Sequence, residues 1–368
     1  MPDISVSNLL NNHFYVISPA SLPNHGFIFV NHSASGRGGH LGHALFQTLN
    51  GDLIAFFSNC NKDNNGHSGR GWMSYRRSFD FGRTWSASED FSWSKDVYDS
   101  NNGTSVMCEK AVTCNNGVIV LFSLVCDVSH NALWEPYLYP CFQRSEDHGY
   151  HWSSPVFLGL NRGRIYDALY RNGVIYVLIF ANSAEESWTG CSKEHVYQLY
   201  TSIDNGKSFS LRSVLPIDTH GRGYGTMEFL SGERLLVGVY NINDEEHMDV
   251  IISSDLGNTW NQQQSTFLSK RIRNPQLIHF GSGYFLHGRS GNSGTSPGNF
   301  VLYYSADGLH WDDGCYLCLR DAGFGEYSNS LIVHDKILGK DRLLIQSSHA
   351  YRDNLTNIHH WWVDTVDE

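Results

Sequence analysis

The sequence predicts an all-β fold, a six-bladed β-propeller, and two observations carry this prediction. A Ser-x-Asp-x-Gly-x-x-aromatic pattern occurs five times, and its successive aspartates lie 67, 57, 51 and 52 residues apart. Pairs of apolar segments joined by Asn-Gly or Ser-Gly precede these patterns. A period of this length fits one four-stranded blade, and Asn-Gly between apolar runs favours a tight hairpin.

Each copy of the pattern has a local physical explanation. The aspartate can accept backbone N–H bonds within its own turn, the glycine can take a positive φ, and the aromatic ring can pack between neighbouring sheets. The five copies are Ser78-Asp80-Gly82-Trp85, Ser145-Asp147-Gly149-Trp152, Ser202-Asp204-Gly206-Phe209, Ser253-Asp255-Gly257-Trp260 and the shortened Ser305-Asp307-Gly308-Trp311. We therefore assign these aspartates to turns rather than to chemistry.

Six strand pairs predict six blades, and we expect almost no helix. The pairs are His43–Thr48 with Asp52–Phe57, Cys108–Thr113 with Val118–Leu124, Tyr166–Tyr170 with Val174–Phe180, Thr226–Leu230 with Arg234–Tyr240, Gln276–Phe280 with Tyr284–Gly288, and Ser328–His334 with Arg342–Gln346. The sixth blade lacks the repeat and ends in His359–Val363. We expect strands near 14–17 and 27–30 to complete it, so that residues 1–368 form one closed domain without a free sheet edge.

Composition narrows the class of protein. The net charge of −11 without a basic stripe argues against nucleic-acid binding. No apolar run is long enough to span a membrane, and residues 1–6 show no secretory signal, so the compartment stays open. The eight cysteines, several inside strand segments, are expected to be buried thiols.

The repeat resembles the Asp-box of the sialidase (neuraminidase) superfamily, whose members are β-propellers. The segment Gly325-Glu326-Tyr327-Ser328 is similar to the one that carries the sialidase nucleophile at the start of the last inner strand. This resemblance implies a glycoside hydrolase acting on an acidic sugar. It assigns Tyr327 as nucleophile, Glu326 and Asp167 as neighbouring carboxylates, and Arg273 as the clamp for the substrate carboxylate.

In a propeller, the residues that begin the inner strands converge on one mouth of the central channel. Arginine precedes the inner strand in four of the six blades, which predicts a cluster of guanidinium groups suited to a carboxylate. The alternative is that these arginines pair with acidic loops. The candidate substrate-binding residues are Arg37, His40, Arg164, Arg222, Tyr224 and Arg273, and Arg289 is a weaker candidate.

The chain departs from the sialidase pattern at three places. Leu41-Gly42-His43 stands where the family has its first arginine, although Arg37 is close by. Asp63 is the one acidic residue in the loop that carries the family's acid/base aspartate. The glutamate that partners the tyrosine would fall near Gly223, which leaves Glu228 or Glu326 as substitutes.

Histidine offers a competing chemistry. His40-x-x-His43 stands at the mouth of blade one, and a neutral His43 beside Tyr327 or Tyr224 could abstract a proton α to a uronate carboxylate. That is the chemistry of a polysaccharide lyase. A histidine could equally act as the acid/base of a glycosidase on the same scaffold. A third hypothesis is a non-catalytic glycan-binding propeller. The expected partner is an acidic oligosaccharide or polysaccharide substrate, and we expect no cofactor and no metal.

Overall fold

Six antiparallel sheets surround a central channel. In this computed structural model the described residues are 4–10, 13–19, 26–61, 69–129, 137–182, 195–353 and 355–366. Five of the sheets have four strands in sequence order, and the sixth joins the two ends of the chain. The predicted all-β, six-bladed propeller is therefore confirmed.

The chain begins with β1 Ile4–Leu10, β2 Phe14–Pro19 and β3 Phe27–Val30. Blades one to three follow, each from the inside outwards: β4 Leu45–Gln47, β5 Leu53–Cys60, β6 Gly71–Ser78, β7 Glu89–Asp90; β8 Thr104–Thr113, β9 Ile119–Asp127, β10 Cys141–Ser145, β11 Val156–Phe157; β12 Arg162–Arg171, β13 Val174–Asn182, β14 His195–Ser202, β15 Ser210–Val214. Blades four to six contain β16 Arg222–Phe229, β17 Leu235–Asn241, β18 His247–Ser253, β19 Gln264–Phe267; β20 Arg273–Phe280, β21 Gly283–Arg289, β22 Phe300–Ser305, β23 Cys315–Cys318; β24 Ser328–Asp335, β25 Lys340–Arg352, β26 Leu355–Thr365.

The inner strands β4, β8, β12, β16, β20 and β24 form a closed ring. Each contacts the next, and β24 contacts β4. In the sixth sheet, β26 pairs with β25 on one side and with both β2 and β3 on the other. The N-terminal strands thus cover the C-terminal hairpin, which hides backbone groups that an open edge would expose.

The Ser-x-Asp turns lie between the third and fourth strands of blades one to five, at the outer rim. In the fourth copy, Ser253 Oγ donates to Asp255 Oδ1 at 2.7 Å and accepts from Gly257 N at 2.7 Å. Asp255 Oδ1 also accepts from Thr259 N at 2.8 Å. These bonds are closed within one turn, so the aspartates serve the turn and stand away from the channel.

The aromatic residue of each turn packs towards the preceding blade. The Trp152 ring of blade two lies 6.1 Å from that of Phe46 in blade one, and Phe209 of blade three lies 5.7 Å from Phe122 of blade two. Edge-to-face aromatic contacts of this kind join neighbouring sheets into one core.

A short 3-10 helix, Ser231–Glu233, connects β16 to β17, and one α-helix among the described residues, α1 Ser92–Asp99, lies between β7 and β8. Its buried Ser94 accepts from Met73 N at 2.9 Å and donates to Val106 O at 3.0 Å, which ties the helix to β6 and β8. No helix among the described residues has the length and apolar character needed to cross a bilayer.

Candidate functional site

β-Bulges in four consecutive inner strands build the candidate site. The pairing register shifts at Glu109 in β8, at Tyr166 in β12, at Tyr224 in β16, and at Asn274 and Pro275 in β20. A bulge leaves one residue unpaired and re-aims its side chain. Four of these five bulged residues line one small cavity of about 20 Å³ at the channel mouth. We call six of its lining residues the cup: Glu109, Arg164, Tyr166, Tyr224, Asn274 and Tyr327. His43, Lys110, Gln276 and Ser328 also line the cavity.

Two tyrosines from blades four and six meet in the cup. The hydroxyl oxygens of Tyr224 and Tyr327 lie 3.3 Å apart, and both side chains are buried. The ring of Tyr166 lies 5.2 Å from that of Tyr224. Tyr224, next to Gly223 in blade four, thus brings a phenol oxygen close to that of Tyr327.

Arg164 enters the cup from blade three. Its Nη2 donates to Glu109 Oε2 at 2.9 Å, and its guanidinium carbon lies 4.8 Å from the centre of the Tyr224 ring. Burial works to lower the pKa of Arg164, but the adjacent Glu109 carboxylate outweighs it and raises that pKa well above the ordinary value. Arg164 is therefore a charged wall of the cup that already has an anionic partner.

Arg273 and Arg289 are directly opposite each other on β20 and β21. Arg273 donates to Tyr240 Oη at 3.2 Å and lies 3.9 Å from Glu245 Oε1. Arg289 is 4% exposed, donates to Gly325 O at 3.4 Å, and lies 5.9 Å from the centre of the Tyr327 ring. Within the described part of the chain, no carboxylate lies within 4 Å of the Arg289 guanidinium.

The electrostatics of the two arginines differ accordingly. Burial lowers the pKa of Arg289 to about 10, and the neighbouring Arg273 guanidinium adds to that effect. Burial also opposes the charge of Arg273, but Tyr240 and Glu245 outweigh it and raise its pKa. At neutral pH both stay protonated. Arg289, a weaker candidate from the sequence, is therefore the less compensated of these two cations, and it lies beside the cup.

Glu109 and Asn274 are cup residues that the sequence analysis did not single out as site residues. Glu109 Oε1 is buried and accepts no hydrogen bond from the described residues, while Oε2 is held by Arg164. Both amide atoms of Asn274 are buried and likewise without partners among those residues. The Asn274-Pro275 dipeptide inside a strand-like run is the sequence signal for its bulge, because proline cannot donate to the ladder.

Four polar residues form a hydrogen-bonded cluster across the channel below the cup, and we call this cluster the plug: Lys110, Asp167, Gln276 and Asn329. Asp167, which the sequence analysis predicted at the scissile bond, belongs to it. Its Oδ1 is 3.0 Å from Lys110 Nζ, and Oδ2 accepts from Thr226 Oγ1 and Met227 N, both at 2.9 Å. Lys110 Nζ also donates to Asn329 Oδ1 at 2.7 Å and to Gln276. Both oxygens of Asp167 are therefore engaged by these partners, which supports a structural role and not the predicted one at the scissile bond.

Glu326 also points away from the reacting position. It has a positive φ of 64°, and its Oε1 lies 2.6 Å from His349 Nδ1 while Oε2 accepts from Ser347 at 3.0 Å. Burial works to lower the pKa of His349, but the Glu326 carboxylate outweighs it and raises that pKa to about 11. Glu326 is thus held in a buried ion pair behind β24. Its predicted role as a carboxylate beside the Tyr327 hydroxyl is corrected.

His43 has both ring nitrogens occupied. Nδ1 lies 3.0 Å from Gln346 Nε2, and Nε2 lies 2.9 Å from the carbonyl oxygen of His40. Burial lowers the pKa of His43 to about 3, which keeps the ring neutral. The imidazole therefore has no free lone pair for proton abstraction in this structure. His40 itself approaches the cup, with its ring 6.0 Å from that of Tyr327.

Arg37 and Arg222 make their contacts outside the cup. Arg222 pairs with Asp249 of its own blade and donates to Asn241 Oδ1 at 3.0 Å. Arg37 donates to Asn61 Oδ1 at 2.9 Å and lies 4.5 Å above the Trp72 ring. The contacts of both side chains therefore point towards the outer strands of their blades and do not support the predicted contact with substrate.

The sequence offers two further acidic candidates, Glu228 and Asp63. Glu228 lines a cavity of about 570 Å³ at the opposite end of the channel, beyond the plug. Burial, together with Asp167, raises the pKa of Glu228 to about 7, and its oxygens accept from Phe229 N at 2.7 Å and His279 N at 3.0 Å. Asp63 lies outside the described residues.

Comparisons with known proteins agree with the fold. A protein of unknown function from Dyadobacter fermentans is 13% identical, with a TM-score of 0.68 over 93% of this chain and 98% of that one. The Hadza microbial sialidase Hz136 is 14% identical, with a TM-score of 0.64 over 96% of this chain and 70% of that one. An α-L-arabinanase from Penicillium chrysogenum, complexed with arabinobiose, is 12% identical, with a TM-score of 0.60 over 93% and 98%.

These similarities define the class of fold. No protein-family model and no curated protein sequence matches this chain. The molecule has a sialidase-like six-bladed propeller fold. Identities of this size carry the architecture alone, because one scaffold hosts many functions.

Proposed function

We propose that this protein is a glycoside hydrolase that cleaves at a sugar bearing a carboxylate. One observation carries the proposal: the buried Arg289 guanidinium, with no carboxylate within 4 Å among the described residues, stands beside Arg273 and next to the tyrosine pair. A buried charge without a partner is costly, and an anionic ligand offsets that cost. Guanidinium groups bind carboxylates through paired, charge-assisted hydrogen bonds.

In this scheme, one set of residues binds the substrate carboxylate and another carries out the reaction. Arg289 and Arg273 hold the substrate carboxylate, whereas Arg164 is engaged by Glu109. Tyr327 then faces the anomeric carbon next to that carboxylate. A neutral phenol approaches such a centre without the repulsion that a carboxylate nucleophile meets, and sialidases are the glycosidases known to use tyrosine.

The phenol needs a base, and Glu109 is the candidate. Its Oε1 is buried, accepts no hydrogen bond from the described residues, and belongs to the group that lines the cavity with Tyr327. In this scheme the Tyr327 proton passes to Glu109, directly or through the Tyr224 hydroxyl at 3.3 Å. The phenolate forms a bond to the anomeric carbon as the bond to the leaving oxygen breaks. Asp63 remains the proposed donor of a proton to that oxygen.

The tyrosine pair also favours a second candidate, a polysaccharide lyase. Two phenols 3.3 Å apart can act as base and acid in one elimination. One tyrosinate removes the proton α to a uronate carboxylate that the arginines neutralise, a C=C bond forms, and the C–O bond to the leaving sugar breaks with proton donation. The variant of this hypothesis with His43 as base has no support in the contacts of that ring.

One experiment tests these proposals together. The protein is incubated with a panel of acidic oligosaccharides, and product masses and ultraviolet absorbance are recorded. Hydrolysis adds one water per cleavage, whereas elimination adds none and creates an absorbing double bond. Tyr327→Phe is expected to stop turnover, and Tyr150→Phe, an exposed tyrosine in a blade-two turn, is the matched control.

The remaining outcomes are equally informative. Binding of acidic glycans without turnover identifies a glycan-binding propeller. Cleavage of neutral glycans with no preference for a carboxylate contradicts the role of the arginines. Unchanged turnover in Tyr327→Phe contradicts its role as nucleophile or base.

A further inference from the structure

Asn274 lies in a β-bulge of β20, and Gly288 on the neighbouring strand β21 leaves room for that bulge. The pairing of β20 with β21 skips from Arg273 to Gln276, and Asn274 has a φ of 54°. A side chain at Gly288 would place its Cβ 2.6 Å from Arg273 O and 2.8 Å from Asn274 O. Asparagine tolerates this left-handed backbone better than most residues, and the bulge turns its side chain out of the ladder.

The amide of Asn274 is buried with both of its polar atoms unpaired among the described residues, whereas Glu109 in the same cavity has one oxygen held by Arg164. The Asn274 side chain is 3% exposed, and neither Oδ1 nor Nδ2 has a hydrogen-bond partner in the described part of the chain. By contrast, Asn329 of the plug accepts from Lys110 Nζ at 2.7 Å and donates to His43 O at 3.0 Å. Buried amides in folded proteins are almost always hydrogen-bonded, so an unpaired one points to a missing partner.

The space next to this amide defines the size of that partner. The cavity of about 20 Å³ is lined by Asn274 together with Arg164, Tyr224 and Tyr327. A volume of this size accommodates a single water molecule or one hydroxyl group. A hydroxyl group both donates and accepts, as the amide does. A carboxylate only accepts, and the proposed site for it is at Arg273 and Arg289.

We infer that Asn274 is a specificity-determining residue that binds one hydroxyl group of the acidic sugar, next to the carboxylate held by Arg273 and Arg289. This inference rests on the proposed function, because it assumes an anionic sugar in the cup. A site built to pair with a hydroxyl rejects an analogue that lacks it, since the amide is then left buried and unpaired. Asn274 thereby selects sugars by a hydroxyl and not by charge.

The test uses the full chain and named probes. D-Glucuronate, D-galacturonate and N-acetylneuraminate are titrated calorimetrically against the wild type, with D-glucose and D-galactose as neutral controls. The sugar that binds most tightly is then compared with its monodeoxy analogues. One analogue is expected to bind roughly 10- to 100-fold more weakly than the parent sugar, while analogues changed elsewhere bind nearly as well.

The variant Asn274→Gly removes the amide and keeps a residue that accepts positive φ. It is expected to weaken binding of the parent sugar by the same factor and to show no further loss with the critical deoxy analogue. The matched control is Asn172→Gly, an exposed asparagine with a φ of 50° in the β12–β13 turn, for which binding should not change.

The outcomes distinguish failure of the proposed function from failure of the Asn274 assignment. If the wild type binds no acidic sugar more tightly than the neutral controls, the proposed function falls and this inference falls with it. If acidic sugars bind but every deoxy analogue binds like the parent, the inference alone is overturned. It is also overturned if Asn274→Gly weakens all analogues equally. The deoxy series needs no variant, so the test holds even if Asn274→Gly fails to fold.

Discussion

The hydroxyl oxygens of Tyr224 and Tyr327 lie 3.3 Å apart across the channel mouth, although 103 residues separate them in the chain. Blade four supplies one phenol and blade six the other, and the Arg164 and Arg289 guanidiniums lie near the two rings. In the proposed hydrolase scheme, Tyr327 is the nucleophile and the Tyr224 hydroxyl assists its proton transfer. Its consequences for activity can be measured directly.

Single replacement of the two tyrosines distinguishes hydrolase from lyase. For a hydrolase, Tyr327→Phe should lower kcat by at least about 10³-fold, while Tyr224→Phe should lower it roughly 10- to 100-fold because it only assists proton transfer. For a lyase, both variants should lose activity to a similar extent. Steady-state kinetics on the best substrate of the panel provide the measurement. Equal, small effects of both changes would exclude either mechanism.

The buried Arg289 side chain is expected to lower the free energy of unfolding of the ligand-free protein. We expect Arg289→Met to leave the free energy of unfolding unchanged or to raise it, because a buried charge without a nearby carboxylate is removed. Arg164→Met should lower it by about 3–5 kcal/mol, since Glu109 then loses its partner. Urea denaturation of the ligand-free proteins gives both values. A marked loss of stability in Arg289→Met would show that Arg289 is a structural residue.

Buried neutral histidines predict sensitivity to acid. Burial lowers the pKa of His43 to about 3 and that of His287 to about 3, whereas an unfolded histidine titrates near 6.5. Because their folded pKa values are depressed, these groups favour the folded state above pH ~6.5, and that contribution is lost as the pH falls towards about 3. His43→Gln should flatten this slope in denaturation curves between pH 7 and pH 4. An unchanged slope would contradict the assignment.

The Glu326–His349 pair predicts the opposite dependence. The Glu326 carboxylate raises the pKa of His349 to about 11 against opposing burial. A raised folded pKa gives a contribution that is complete below pH ~6.5 and is lost as the pH rises through about 11. Wild type minus His349→Gln, measured by urea denaturation from pH 6 to pH 10, should therefore show a difference in stability that shrinks with rising pH. A constant difference would mean that His349 is neutral.

The turns are predicted to matter for stability and not for chemistry. In Ser253→Ala, Gly257 N loses its acceptor at 2.7 Å and Asp255 loses a donor. We expect the free energy of unfolding to fall by about 1–3 kcal/mol while kcat per folded molecule is unchanged. Denaturation and kinetics on the same preparation suffice. A change in kcat would mean that this turn at the rim of the propeller affects the reaction in the cup.

The positions of individual site residues show where sequence reasoning stops. Tyr327, Tyr224 and Arg164 were predicted at the mouth, and all three line the cup. Arg222 begins an inner strand as Arg164 does, yet it turns to Asp249 of its own blade. Position along a strand predicts which end of the channel a residue is near. It does not predict which way the side chain points, because contacts with the outer strands decide that.

The sequence by itself determined the blades, since its Ser-x-Asp turns and Asn-Gly hairpins are closed by hydrogen bonds between residues at most a few positions apart. Only the tertiary structure decided the cup, because bulges at Glu109, Tyr166, Tyr224 and Asn274 re-aim side chains that alternation would send elsewhere. Partners such as Lys110 and Asn329 meet only once the ring of six sheets is closed. Hydrogen bonds within a turn can be predicted from residues that are close in sequence. Contacts across the channel depend on the positions of all six blades.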